Sequence, residues 1–313
     1  MPLSSRVTIA TRESALALWQ AHYIRTRLIT LYPDLQVEIL GITTQGDRQL
    51  SASLAKIGGK GLFVKELENA LEEGRAQIAV HSMKDVPVSL PPGFIIAAVG
   101  EREDPRDAFV SNQHAHLSSL PPGAVVGTSS LRRESQLRAH YPHLAVAPLR
   151  GNVQTRLRRL DEGNYAAVIL AVAGLKRLGL ASRITAVLEP EESLPAAGQG
   201  ALAIECRESR MDLIEMVLPL DDAETHWCVR AERSVSRGLS GSCVMPIGAF
   251  ARRVAAGMSL RGFVASPDGR RHVSGEERAP DLSVDPEAVG EALANKLLAG
   301  GAREILAALT REQ

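Results

Sequence analysis

Two arginine-rich turns are the strongest chemical signal in the chain. Between Thr128 and Leu160 stand seven arginines, Arg132, Arg133, Arg138, Arg150, Arg156, Arg158 and Arg159, against one acid, Glu134. GTSSLRR (127–133) sits where a strand pattern gives way to a helix pattern, and LRGNVQTR (149–156) repeats the arrangement. A helix start offers unpaired N–H groups and the positive end of the helix dipole. Hydroxyls and guanidinium forks beside it bind both oxygens of a carboxylate or phosphate. Two such turns at one sheet edge make a polyanion pocket. The alternative is a solvated helix face whose arginines pair with acids elsewhere. That alternative suits mid-helix Arg138, Arg158 and Arg159 better than the turn residues Arg132, Arg133, Arg150 and Arg156.

Three further runs carry chemistry-capable groups. HSMKDVP (81–87) follows a strand end, where α/β sheets place their ligands, and pairs Lys84 with Asp85 as an acid/base candidate. An Asp after a strand is also a common cap, and His81 also fits as a packed histidine. KIGGKGLF (56–63) is a glycine-rich loop with Lys56 and Lys60 entering a helix. Its spacing is not that of a phosphate-binding Walker loop, which leaves a mobile lid, an anion nest or a plain connection. SGSCVMPIG (240–248) sets Cys243 among small residues in a tight loop, where a thiol can react. Cys206 and Cys228 read as buried small hydrophobes.

Composition narrows the classes. The 313 residues are about two domains' worth at ~150 per domain. With 36 basic and 36 acidic residues the net charge is zero, which argues against a global nucleic-acid field. Only six of the basic residues are lysine. Eleven aromatic residues, not interleaved with the basic ones, also speak against nucleic acid. The longest apolar run, 166–175, is half of the roughly 20 residues a membrane helix needs. The first residues lack a hydrophobic signal core, and three scattered cysteines suggest neither disulfides nor a metal site. A reduced, cytoplasmic protein is expected.

The elements that must position these groups alternate. Strands are expected at 7–11, 37–42, 78–81 and 94–99, with helices at 14–31 and 62–73. In the first helix Leu16, Trp19, Tyr23, Leu28 and Leu31 fall near one face, and Pro33 stops it. The charged segment 101–109 reads as a crossing. The rhythm restarts with strands at 125–128, 145–149 and 166–171 and helices at 129–140 and 152–162. A return strand at 196–207 and a helix at 224–236 follow. Strands at 246–254, 259–264 and 271–277, an SPDG turn (266–269) and helices at 286–299 and 302–309 end the chain. The fold class is α/β: two mostly parallel sheets about a cleft, then a smaller α+β domain. No internal repeat is visible in the sequence.

Together the runs IATRESALALWQA, KIGGKGLFVKELE, HSMKDVP, EREDPRDAFVS, GTSSLRR, LRGNV, ILAVAGLKRLG, LPAAGQGA and GSCVMPIG resemble the porphobilinogen deaminase (hydroxymethylbilane synthase) family. They occur in family order and span about residues 6–250. The resemblance implies two periplasmic-binding-protein-like α/β domains, 1–100 with 198–218 and 105–195, and a third domain, 222–313, that carries the cofactor cysteine. It implies a transferase of tetrapyrrole and heme biosynthesis. Such an enzyme joins four porphobilinogen molecules head to tail, releases ammonia, and hydrolyses the product to hydroxymethylbilane. A dipyrromethane cofactor, thioether-linked to Cys243, primes the chain.

Position by position, the resemblance makes Asp85 the catalytic carboxylate. Lys84, Asp47, Thr128, Ser129, Ser130, Arg132, Arg133 and Arg156 become cofactor contacts. Arg12, Ser14, Arg150, Arg156 and Arg177 become substrate contacts, and Lys56 and Lys60 belong to a mobile loop. Ser242 and Met245 depart from the family's usual residues beside the cysteine. No metal, nucleic acid or membrane is implied, and a monomer is expected. The residues agree with this: each pyrrole carries an acetate and a propionate, which an arginine-rich cleft in a neutral protein would gather. A non-enzymatic two-lobed binding protein for an anionic small molecule would need the arginines but neither Asp85 nor Cys243.

Overall fold

The structure, a computed structural model, describes residues 5–44, 64–239 and 245–312, the side chains of 310–312 apart. Asp47, Lys56, Lys60, Ser242 and Cys243 lie outside the described residues. The chain divides into two compact units. The described residues of the first are 5–44, 64–103 and 201–226, and those of the second are 104–200 and 227–312.

The first unit is built on β1 (Arg6–Arg12), β2 (Gln36–Ile42), β3 (Ile78–Ser82), β4 (Phe94–Val99) and β10 (Leu202–Arg207), in the order β2-β1-β3-β10-β4. β1 runs parallel to β2 and β3, while β10 is antiparallel to both its neighbours. Both faces are covered, so these strands read as near-continuous apolar runs. Val7, Ile9, Ile78, Val80, Leu202 and Ile204 pack under α1 (Ala15–Leu31) and α6 (Met211–Val217). On the other face Ala10 and Ala79 meet Leu67, Ala70 and Leu71 of α2 (Lys65–Glu72).

The Ser14 hydroxyl caps α1 by accepting the Ala17 N–H at 3.3 Å, a bond worth about 1 kcal/mol. The helix buries a different face from the expected one. Ala17, Gln20, Ala21, Ile24 and Leu28 face inward, while Trp19 is 37% and Leu31 42% exposed. The helix is apolar around most of its circumference, so periodicity could not choose a face. Small alanines win because they let the helix backbone approach the sheet closely. Trp19 instead stacks on Tyr23 at 5.4 Å.

The second unit repeats the topology. Its sheet holds β5 (Asp107–Val110), β6 (Val125–Gly127), β7 (Ala145–Ala147), β8 (Ala167–Ala171) and β9 (Ala186–Leu188), in the order β7-β6-β8-β5-β9. β6 is parallel to β7 and β8; β5 is antiparallel to β8 and β9. The antiparallel strand is the last in chain order in the first sheet, β10, and the first in chain order in the second, β5. The duplication lives in connectivity, not in residues, and the sequence showed no repeat. α3 (Leu131–His140) covers one face, while α4 (Val153–Asp161) and α5 (Val172–Arg177) cover the other. Gly127 is needed at the end of β6: a Cβ there would stand 2.8 Å from Tyr165 and 2.9 Å from Leu149.

Three expected boundaries move. α3 starts at Leu131 with Ser130 as its cap, so the serines precede the helix. The segment expected to be only a crossing contains β5. The return strand begins at Leu202, because 197–200 form a turn with Gly198 and Gly200 at positive φ. The rest of the second unit is the antiparallel sheet β11 (Ile247–Val254), β12 (Gly257–Ala265) and β13 (His272–Ala279). With α7 (Ala223–Gly238), α8 (Pro286–Leu297) and α9 (Arg303–Glu312), it closes over a core of Trp227, Ala231, Leu260, Leu293 and Ile305. Among the described residues no helix is long and apolar enough to cross a membrane.

Candidate active site

In the first unit the parallel strands end at one edge. Arg12 closes β1, Ser14 follows it, and β3 ends at Ser82, leading into a single helical turn, Met83–Asp85. That turn is pinned at three points. The Met83 N–H donates to the Ala201 carbonyl at 3.0 Å, the buried Gln20 amide donates to Ser82 Oγ at 2.8 Å, and the Met83 side chain is buried. Asp85, at the end of the turn, is exposed, and no hydrogen bond engages its carboxylate among the described residues. An open cleft lies there, walled by Arg12, Ser14, Gln20, His81, Ser82 and Asp85. The geometry suits a cationic, carboxylate-bearing guest: a carboxylate on a pinned turn lines the cleft, with a guanidinium and a hydroxyl alongside.

At the cleft wall His81 Nε2 stands 2.8 Å from Glu205 Oε2. Sequence reasoning left His81 between packing and catalysis and missed Glu205 entirely. A carboxylate inside an otherwise apolar strand, LAIECR, was the available signal.

In the second unit the ends of β6, β7 and β8 likewise share an edge. Thr128 is buried; its Oγ1 accepts the Ser130 N–H at 3.2 Å. Ser129 is exposed and donates to the Leu149 carbonyl at 3.0 Å, tying the GTSS turn to the LRGN turn. Ser130 caps α3, and Asn152 caps α4 by accepting the Thr155 N–H at 2.8 Å. Arg150 and Arg156 are half-buried beside the second turn; Arg156 Nε donates to Gly151 O at 2.8 Å. Arg177, on α5 after β8, donates to Gly200 O at 2.7 Å. Thr128, Ser129, Ser130, Arg150, Arg156 and Arg177 are thus brought to one edge. Mid-helix Arg138 bonds Glu134 at 2.9 Å, as a solvated helix face would.

Arg132 and Arg133, in the first turn of α3 at that edge, have partners inside the unit. They are 4% and 6% exposed and turn inward to Asp107, which is fully buried. Arg132 donates to Asp107 Oδ2 at 2.9 Å and to Leu194 O at 2.6 Å. Arg133 donates twice to Asp107 Oδ1, at 3.1 and 2.7 Å, and to Ile169 O at 3.0 Å. Ser193 and Gln199 add bonds to the same carboxylate at 2.8 and 2.9 Å. Burial alone would raise the Asp107 pKa; the charges of Arg132 and Arg133, with the Arg133 and Gln199 hydrogen bonds, hold it far below the usual carboxylate range. Asp107 was passed over because it sits in the charged segment EREDPRDAF, where one more acid looks like surface.

The hydroxyl and guanidinium donors at each edge suit carboxylate groups of a ligand. A family model described as porphobilinogen deaminase, dipyromethane cofactor binding domain, matches residues 7–215, and one described as porphobilinogen deaminase, C-terminal domain, matches 226–299. The chain is 63% identical over 303 residues to a porphobilinogen deaminase of Thiobacillus denitrificans, covering 97% of this chain and 98% of that protein. It is 61% identical over 312 residues to one of Nitrosomonas europaea, covering 99% and 100%. Among solved structures, the methionine binding protein MetQ overlaps with a TM-score of 0.46 at 14% identity, covering 71% of this chain and 92% of that one. A nutrient binding protein of Burkholderia cenocepacia overlaps with a TM-score of 0.45 at 11% identity, covering 68% and 90%.

Proposed function

The chain belongs to the porphobilinogen deaminase family, and from that premise we propose that Asp85 carries the chemistry of its substrate cleft. The protein is a transferase that polymerises four porphobilinogen molecules into hydroxymethylbilane, with loss of ammonia, on a dipyrromethane cofactor. When bound, that cofactor supplies the pyrrole carbon from which the product grows. The observation that carries the Asp85 assignment is its placement: an exposed carboxylate on a turn fixed by Gln20 and Ala201, in a cleft shared with Arg12 and Ser14.

Asp85 holds the aminomethyl nitrogen of the incoming unit and balances the positive charge that stays on its pyrrole ring as ammonia departs. Arg12, Ser14, Arg150, Arg156 and Arg177 bind substrate carboxylates. Lys84, Thr128, Ser129, Ser130 and Arg156 would hold the cofactor's carboxylates, with Asp47 on its pyrrole nitrogens and Cys243 as its thioether anchor. Lys56 and Lys60 would cover the bound chain. Arg132 and Arg133 act differently from direct forks. Two buried guanidiniums against one carboxylate leave a positive excess at the start of α3, which favours an anion at that edge through charge and through the helix dipole.

Intact mass tests the anchor. The wild type is expected to carry two porphobilinogen units less two ammonias on the Cys243 peptide, and Cys243→Ser to lack them. Full cofactor on that variant would remove Cys243 from the assignment. We also propose three domains, 1–100 with 198–218, 105–195 and 222–313, supported by three separate sheets. The enzyme acts as a cytoplasmic monomer without nucleic acid or membrane. The equal counts of 36 acidic and 36 basic residues and two buried free thiols support this. Light scattering should give the mass of one chain; a dimer mass would overturn the monomer.

A further inference from the structure

Between α2 and the first sheet lie three buried ionisable side chains. β3 and β10 alternate, so Ile78, Val80, Leu202 and Ile204 face α1, while His81 and Glu205 face α2 with Glu68. Glu68 is 8%, His81 6% and Glu205 0% exposed. Glu205 Oε2 meets His81 Nε2 at 2.8 Å, but Glu205 Oε1 is buried with no hydrogen-bond partner among the described residues. An apolar residue would cost less here, because a buried carboxylate oxygen without a donor loses its solvation unrepaid. Of the three, His81 alone also walls the cleft that contains Asp85.

We propose that Glu68, His81 and Glu205 form a proton-holding cluster for the Asp85 cleft, with His81 the proton acceptor and Glu205 the residue that positions it. The proposal rests on the reading of Asp85 given above. In each coupling the C–N bond of the protonated aminomethyl group breaks and its electron pair leaves with neutral ammonia. The α-carbon of the preceding substrate unit forms the new C–C bond. Its C–H electron pair then returns to the ring as the proton departs. One proton is therefore released in the cleft per unit added, and it must be taken up and given to solvent before the next.

An ionised Glu205 only accepts hydrogen bonds, so the neutral imidazole carries its hydrogen on Nε2 and presents the Nδ1 lone pair. Glu205 then balances the imidazolium. Burial, and next the Glu205 charge, push the Glu68 carboxyl up to about 7, against the opposing pull of His81 and Lys65. Glu68 can thus share the proton load at neutral pH. The other charged or titratable groups of the packed elements are Arg6 and Arg12 of β1, Asp85 beyond β3, Glu66 and Glu72 of α2, and Cys206 and Arg207 of β10. Burial first, and Glu205 second, raise the Cys206 thiol to about 11, so it stays protonated.

The test uses the holoenzyme and its Glu205→Gln, Glu68→Gln and Asp85→Asn variants. Each is weighed for cofactor content, assayed for kcat and KM across pH, and examined by imidazole NMR. Glu205→Gln should keep the cofactor mass and KM and lose kcat roughly 10²-fold. Its acid limb should move to lower pH, because the ring then binds its proton less tightly. The low-field Nε2 proton signal of His81 should move upfield. Glu68→Gln leaves the His81–Glu205 bond in place and should move the same limb less, with a smaller loss. An upfield shift in Glu205→Gln with a wild-type pH profile would overturn the proposal. If Glu205→Gln does not fold, an unmoved limb in Glu68→Gln overturns it. Loss of turnover in Asp85→Asn beside wild-type profiles in both glutamate variants sinks this inference alone. Turnover retained in Asp85→Asn brings it down together with the reading beneath it.

Discussion

Asp85→Asn should retain its cofactor and its fold while kcat falls roughly 10²–10⁴-fold, the range for a lost acid/base or charge-stabilising group. The fold is safe because nothing structural depends on the carboxylate: it is exposed and has no partner among the described residues. The turn under it is held by Met83, Ser82 and Gln20, all untouched. The amide keeps the shape and removes the charge, so KM should change much less than kcat. Intact mass and steady-state kinetics on one preparation separate the two effects. Near-normal kcat with cofactor present would take Asp85 out of the mechanism.

Asp107→Asn should instead break the second unit. It removes the carboxylate that, among the described residues, pairs with two guanidiniums that are 4% and 6% exposed, and an uncompensated buried charge costs about 3–5 kcal/mol. The pH dependence follows from sign. Asp107 titrates far lower folded than its unfolded value of about 3.9, so its contribution is full above that value. It is lost as pH falls through the folded value. Wild-type stability should therefore drop on acidification below about pH 4, and Asp107→Asn should show a flatter acid slope from a lower plateau. Urea denaturation at neutral and acid pH measures both. Equal midpoints at neutral pH would mean that Arg132 and Arg133 do not need this counter-ion. Arg132→Leu is then expected to fail through the same network, which lies inside the unit, before any effect on ligand carboxylates.

Most of the element order was legible because strands covered on both faces are nearly pure apolar runs, and helices carry their own caps. Ser14, Ser130 and Asn152 stop or start helices by a bond to a backbone N–H three residues on, which is local information. The inward face of α1 was not legible, since an all-round apolar helix leaves the choice to the fit of Ala17 and Ala21 against the sheet. The repeated strand order was hidden too, because the antiparallel strand comes last in chain order in the first sheet, as β10, and first in the second, as β5.

The same division runs through the site. By itself the sequence determined its chemistry: the residue types in GTSSLRR, LRGNV and HSMKDVP, their place at strand ends, and through them the family. Only the tertiary structure decided which charges are spent inside the protein. Arg132 and Arg133 are indistinguishable in sequence from ligand-facing arginines until Asp107, some 25 residues away, is seen between them. Glu205 meets His81 across 124 residues of chain. A side chain's partner is fixed by which strands lie side by side, and strand neighbours are set by packing over the whole sheet rather than by any local run of residues.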